Sequence, residues 1–380
     1  MIPIKQSSSK PSPCLLRKLI FSRATSIVVT LACIAWITPL RAHITSALQS
    51  VYKTLHIQGD YFAGLPNSSE TVFLVGDAGA ISQGVSNALE RAVRGTTSRP
   101  ALIYLGDNIY PVGLPAFVDT PEWRLARARL MKQIDPFRAL TSHIFFTPGN
   151  HDWENHSTEG WNAIKRETAL IEATLGAGHL APANGCPGPT RIQLFPDLQL
   201  IALDSSWWLH EHAKPARSED GCELFSENDV ENALDVMLTN TPTGVESLVI
   251  LHHPLLPASS DHAHSKCPYS SDCPTYVSMK EKLSAVLAKH RPLICASGHN
   301  HAMQVHRDEG GCRTYVVSGG GSTVYPAKQP KTAEFAKASL GFMVLHRGTD
   351  RDWKLDVVGV RPDDSALPIN SRLIYSTVVK

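Results

Sequence analysis

Short apolar runs recur along the chain, and each ends in a small or turn-forming residue followed by a polar one. Val72–Val75 runs into Gly76-Asp77, Leu102–Leu105 into Gly106-Asp107, and His143–Thr147 into Pro148-Gly149-Asn150. Leu248–Leu251 ends at His252-His253-Pro254, and Leu293–Ala296 at Ser297-Gly298-His299. Unbroken apolar runs of this length predict strands buried on both faces. Between them the period lengthens to that of a helix. Val85, Leu89, Ala92 and Val93 form one stripe, and Trp123, Ala126, Leu130, Ile134 and Phe137 another. Ser226, with Asp229 three residues on, is a cap-like start for a helix carrying Val230, Ala233, Leu234, Met237 and Leu238. Thr158–Leu175 and Tyr276–His290 read as further helices, and the Gly/Pro-rich run Gly176–Thr190 as an excursion over the surface.

Ile192–Phe195 and Leu198–Leu203 predict two strands around a Pro-Asp turn. Beyond His301 the pattern holds strands without long helices, at Thr314–Val317, Gly341–Leu345 and Trp353–Val360. Strand–helix alternation followed by strands predicts an α/β fold. Two mixed β-sheets would pack on each other with helices outside, a four-layer-type sandwich.

Composition narrows this picture only at the N-terminus. The chain has 380 residues, 43% hydrophobic and 19% charged, enough for one large domain or two ordinary ones. Lys5, Lys10, Arg17, Lys18, Arg23 and Arg41 crowd the start, and no Asp or Glu occurs before Asp60. The remainder is mildly acidic and has no Lys/Arg runs, so nucleic acid is not an expected partner. Ala24–Leu40 is apolar and uncharged, and at about 17 residues it is short for a membrane span. Behind its basic flank it reads as a secretory signal peptide or an uncleaved signal anchor. Everything after Arg41 is then exported, periplasmic or secreted, and touches a membrane only through that segment.

Cysteine usage agrees with export. Cys267 and Cys273 flank a short polar loop and suit a local staple, and a Cys186–Cys222 bridge joins two loop regions. Cys295 lies in an apolar strand and reads as a buried free thiol. None has the spacing of a structural zinc site.

The five strand ends carry the chemistry. Gly76-Asp77-Ala78-Gly79, Gly106-Asp107-Asn108-Ile109-Tyr110, Gly149-Asn150-His151-Asp152, His252-His253-Pro254 and Gly298-His299-Asn300-His301 each place metal-capable side chains in the following loop. Loops at the carboxyl ends of strands open a common crevice in α/β sheets. Together they offer enough ligands for two metal ions.

In this order the motifs resemble those of the calcineurin-like metallophosphoesterases. The tyrosine of the second motif, in Leu105–Tyr110, resembles the purple acid phosphatase branch, and the run after His301 is similar to its small, mammalian-type members. The similarity covers roughly Thr71–Val360. With the leader, which the resemblance does not cover, the expected organisation is a signal peptide or anchor over residues 1–42, a linker over 43–70, the phosphoesterase domain over 71–362 and a C-terminal extension over 363–380. The resemblance implies that Asp77, Asp107, Tyr110 and His301 hold one metal. Asp107, Asn150, His252 and His299 would hold the other, with Asp107 as the bridge. His252 is preferred over His253 because the family pattern is His-x-Pro.

The donor types fit this division. The first set has three anionic or potentially anionic oxygens and one imidazole, which suits a hard, highly charged cation. A phenol with a pKa near 10 coordinates as phenolate at neutral pH only beside a strong Lewis acid, which points to Fe(III). The second set suits a divalent ion, Fe(II), Zn or Mn. The resemblance implies phosphomonoester hydrolysis by metal-bound hydroxide attack on a small phosphorylated substrate. His151 would bind the phosphate and assist the leaving group, and His262, or His264 beside it, would be the second catalytic histidine. Asp152 is expected to orient His151 or cap the following turn. Ala78 and Pro111 depart from the pattern without removing a ligand. A metallophosphoesterase of diesters or pyrophosphate-linked molecules is the alternative within enzymes. A metal-binding or redox surface protein is the alternative outside them.

Overall fold

Alternate residues of each strand belong to different cores. In a computed structural model of the chain, Val72 and Leu74 of strand β1 (Thr71–Val75) join one apolar cluster while Phe73 and Val75 join another. Strand β2 (Ala101–Tyr104) divides the same way, Ala101 and Ile103 from Leu102 and Tyr104. A strand with period two buries both faces only if something apolar covers each side. Here one side meets a second sheet and the other meets helices. The structure describes residues 70–97, 100–256, 272–307, 310–327, 329–347, 350–361 and 371–379.

The first sheet runs β13-β12-β11-β1-β2-β3. Its parallel half is β1, β2 and β3 (Ile144–Phe146), and its antiparallel half is β11 (Leu340–Arg347), β12 (Trp353–Val360) and β13 (Ser371–Val379). The second runs β10-β8-β9-β7-β6-β5-β4. Strands β5 (Leu198–Ala202), β6 (Glu246–Ile250), β7 (Ile294–Ser297) and β9 (Thr314–Ser318) are its parallel core. Antiparallel neighbours β4 (Thr190–Phe195), β8 (Met303–Arg307) and β10 (Ala333–Lys337) complete it. Both sheets are therefore mixed and flanked by helices, as the apolar pattern predicts. Residues expected as a C-terminal extension supply the edge strand β13.

Helix α1 (Gln83–Gly95) starts where the Ser82 hydroxyl accepts from the Val85 amide, and α2 (Pro121–Ile134) where Thr120 does the same for Trp123. Helices α3 (Gly160–Leu175) and α4 (Ser205–Leu209) follow β3 and β5. The predicted cap of α5 (Glu227–Thr239) is present, with Ser226 Oγ 3.2 Å from the Asp229 amide nitrogen. Helix α6 (Pro274–His290) leads into β7.

Two expectations need correction. The run after α3 is not wholly on the surface: Leu180 and Ala181 are buried, the Ala181 amide donates to Phe146 O, and the Phe146 amide of β3 donates to His179 O. Nor is Cys295 a free thiol. β9 lies parallel to β7, which brings Cys312, just before β9, to a Cα–Cα distance of 5.8 Å, and the two cysteines are bridged. The Cys186–Cys222 bridge occurs as expected. The leader, the linker up to residue 69, Cys267, His262 and His264 lie outside the described residues. Among the described residues, no helix is long and apolar enough to cross a membrane.

Candidate metal centre

All five motifs lie at carboxyl ends of parallel strands, three on the first sheet and two on the second. Backbone contacts stitch these ends together. The Gly76 amide donates to Ser318 O at 2.7 Å, the Gly321 amide to Gly76 O at 3.1 Å and the Gly298 amide to His252 O at 3.1 Å. Glycine is needed where the loops touch. A Cβ on Gly149 would lie 2.3 Å from Asp107 Oδ1, and one on Gly106, whose φ is +88°, would lie 2.4 Å from His252 Nδ1.

Seven predicted ligands converge at this seam. The Tyr110 hydroxyl is 3.0 Å from Asp107 Oδ2, 3.3 Å from Asp77 Oδ1 and 3.0 Å from His301 Nε2. His301 Nε2 is also 3.4 Å from Asp77 Oδ1. On the other side, His252 Nε2 is 3.3 Å from Asp107 Oδ1 and 3.1 Å from Asn150 Oδ1, and His299 Nδ1 is 3.1 Å from the same amide oxygen. The two oxygens of Asp107 thus face different donor groups, an arrangement compatible with a bridging carboxylate.

The imidazoles are oriented from behind. His252 Nδ1 is 2.8 Å from Leu105 O, so it carries the proton and leaves the Nε2 lone pair toward Asp107 and Asn150. His301 Nδ1 is held at 2.8 Å by Thr323 Oγ1. His253 lies within ligand reach of His252 and His299, but its Nδ1 is 2.9 Å from Ser205 Oγ. The ring that faces the carboxylate is His252. Half-buried His151 donates its amide to Asp107 Oδ1 at 3.0 Å. Its Nδ1 is 2.5 Å from Pro111 O, and its Nε2 is 3.9 Å from Asp107 Oδ2.

Three of these residues hold left-handed backbones: Asp77 at φ 57°, Asp107 at 56° and His299 at 66°. Each costs on the order of 1–3 kcal/mol and persists only where the surroundings enforce it. The electrostatics are equally unfavourable without a cation. Burial and the neighbouring Asp107 push the Asp77 carboxyl well above its ordinary range. Burial together with Asp107 and Asp77 raises the Tyr110 phenol in the same way. For Asp107, burial acts upward, but His252, His151 and the His151 amide outweigh it and hold the group low. Asp77 Oδ2 is buried with no hydrogen-bond partner among the described residues. A carboxylate oxygen left so is costly unless a cation meets it, so the donor set fits a pair of metal ions.

The bracing of the Asp107–Tyr110 turn includes residues that the strand-end pattern does not single out. Asp152 accepts from the amides of Gly149 at 2.8 Å, Asn108 at 2.9 Å and Ile109 at 3.0 Å, so it ties the second motif to the third. Burial and Asp107 push its carboxyl up to about 7, against the pull of those amides. Its partners are thus the turns rather than the His151 ring. The Asn108 side chain donates to Thr147 O at 2.9 Å and to Glu167 Oε1 at 3.1 Å, and Gln133 Nε2 donates to Asn108 O at 2.7 Å. Glu167 is fully buried on the apolar stripe of α3, beside Ala163, Ile164 and Ile171. A charged residue within an apolar stripe was the signal available for it.

Residues 70–303 match the family model described as calcineurin-like phosphoesterase. Among solved structures, the chain is similar to GAP50, described as the anchor in the inner membrane complex of Plasmodium. Identity is 15% over 82% of this chain and 89% of that one, with a TM-score of 0.55. It is also similar to the purple acid phosphatase PPD1 from yellow lupin (Lupinus luteus) seeds, at 14% identity and a TM-score of 0.55. That match covers 81% of this chain and 54% of the lupin chain, so this chain spans about half of its length. At such identities the likeness is one of fold. No curated protein matches the chain.

Proposed function

The chain belongs to the calcineurin-like phosphoesterases, and from that premise we propose that it is an exported binuclear-metal acid phosphatase hydrolysing phosphomonoesters. The observation that carries the reading is the position of the Tyr110 hydroxyl among Asp77, Asp107 and His301. Burial and two carboxylates oppose its ionisation, so a strongly acidic cation is the natural partner at that point. Fe(III) held by Asp77, Asp107, Tyr110 and His301 meets this need. A divalent Fe, Zn or Mn held by Asp107, Asn150, His252 and His299 completes the pair. When bound, such a pair supplies Lewis acidity to the phosphate and to water.

The chain's own part is positioning and proton transfer. His151 donates through Nδ1 to Pro111 O, which turns Nε2 toward the crevice. From there it binds a phosphate oxygen and gives a proton to the departing alkoxide. His262 remains the proposed second histidine. The Cys186–Cys222 and Cys295–Cys312 bridges support an oxidising compartment, and with it the reading of the leader as an export signal.

Metal analysis with a visible spectrum of the purified protein tests this reading. A tyrosinate-to-iron charge-transfer band is expected, and it should vanish in Tyr110→Phe. A colourless, iron-free and fully active enzyme would overturn the iron assignment. Preference for bis(p-nitrophenyl) phosphate over p-nitrophenyl phosphate would move the substrate class to diesters.

A further inference from the structure

On the far side of His301 from the other donors there is a cavity. The imidazole turns Nε2 to Asp77 and Tyr110 and Nδ1 to Thr323, and Thr323 lines a space of about 440 Å³. Its other walls come from the ends of β10, β11, β12 and β13, through Lys337, Leu340, Arg361, Arg372 and Ile374. Among the described residues, no carboxylate lines it. Lys337, Arg361 and Arg372 are exposed and have no ion-pair partner among the described residues. Ser322, also in the wall, has its Oγ buried without a hydrogen-bond partner among the described residues.

Three cations, an unsatisfied hydroxyl and an adjoining apolar surface of Leu340, Val360 and Ile374 make a specific chemical demand. We propose that this cavity binds an amphipathic organic anion. Its head group meets Lys337, Arg361, Arg372 and Ser322, and its apolar body lies on Leu340, Val360 and Ile374. The volume suits a small molecule, and the cations converge on one space instead of forming a stripe that a polymer would track. Asp363 and Asp364, next in the chain, lie outside the described residues.

The occupant also reaches the metal centre indirectly. A head group that accepts from the Thr323 hydroxyl leaves the Thr323 oxygen free to accept from His301 Nδ1–H. That fixes the tautomer in which His301 Nε2 presents its lone pair to Asp77 and Tyr110. None of the seven proposed metal ligands lines the cavity, so its occupancy does not depend on the identity of either metal.

The probe is 1-octanesulfonate, titrated calorimetrically into the full chain below its micelle concentration. Saturable one-to-one binding is expected, weakened about ten-fold or more in Arg372→Glu and, from another wall, in Ser322→Leu. Methanesulfonate, with the same charge and no tail, should bind at least about ten-fold more weakly. Inorganic phosphate, which carries charge but no tail, should compete no better than methanesulfonate. Equal affinity for the tailed and tail-less sulfonates, equal affinity in both folded variants, or no saturable binding would each overturn the proposal. Should one variant fail to fold, Lys337→Glu replaces it.

Discussion

Asp107 is the residue on which most of the site's geometry converges. Its Oδ2 faces Tyr110, its Oδ1 faces His252 and the His151 amide, and its backbone is held at φ 56°. A substitution that keeps its shape but removes its charge tests the proposed bridge. Asp107→Asn should lower kcat by about 10³-fold or more and reduce the content of both metals together. Loss of one metal alone would make Asp107 a terminal ligand. At this scale the sequence was highly legible. Asp77, Asp107, Tyr110, Asn150, His252, His299 and His301 share one crevice, because each lies just beyond an apolar strand, with a glycine between except at His252. What the residue pattern could not supply was the support. Thr323, Asn108 and Gln133 act through side-chain hydrogen bonds that leave no trace in periodicity.

Elements carry the next level of constraint. Gly149 packs its α-carbon where a methyl would strike Asp107 Oδ1, so Gly149→Ala should displace the second motif from the third. The expected result is a loss of metal affinity and a destabilisation of about 1–3 kcal/mol, read by metal titration and urea melts. Helix α3 supplies the opposite case, a carboxyl group buried in its neutral form. Burial and Asp152 push the Glu167 carboxyl well above 4.5, so the folded state holds a proton that the unfolded chain releases. Stability from this group is complete below pH 4.5 and declines as pH rises above it, by at most about 1.4 kcal/mol per pH unit. Glu167→Gln mimics the protonated form. It should match the wild type in acid and exceed it in stability near neutrality; an unchanged difference across that range would place a carboxylate at Glu167. Strands β8, β10 and β13 escaped the sequence reading for a related reason. Gln304, Glu334 and Ser376 interrupt their apolar runs, and they stand as strands because β9 offers an edge to β8, β8 to β10 and β12 to β13.

For the molecule as a whole, the layered plan was readable because both faces of the parallel strands are covered, which writes unbroken apolar runs. The disulfide pattern was half readable. Cys186 and Cys222 stand in loops, where a bridge is expected, whereas the Cys295–Cys312 pair depends on β9 lying beside β7, a tertiary fact. Both sheets meet at the proposed metal ligands. Metal removal should therefore act globally: a chelator should lower the thermal midpoint, and added metal at about 100 times its dissociation constant should restore about 2.7 kcal/mol. An unchanged midpoint would mean that the seam holds without its ions.

The division of ligands between the sheets has one more consequence, for the order of assembly. Asp77, Asp107, Tyr110 and Asn150 come early in the chain, and His252, His299 and His301 come late. An emerging chain therefore cannot complete either metal site until the second sheet is made. Selective metal capture is postponed to the last stage of folding, in whichever compartment that stage takes place. The ions that occupy the seam would then be chosen by the destination of the protein as much as by the chemistry of its side chains.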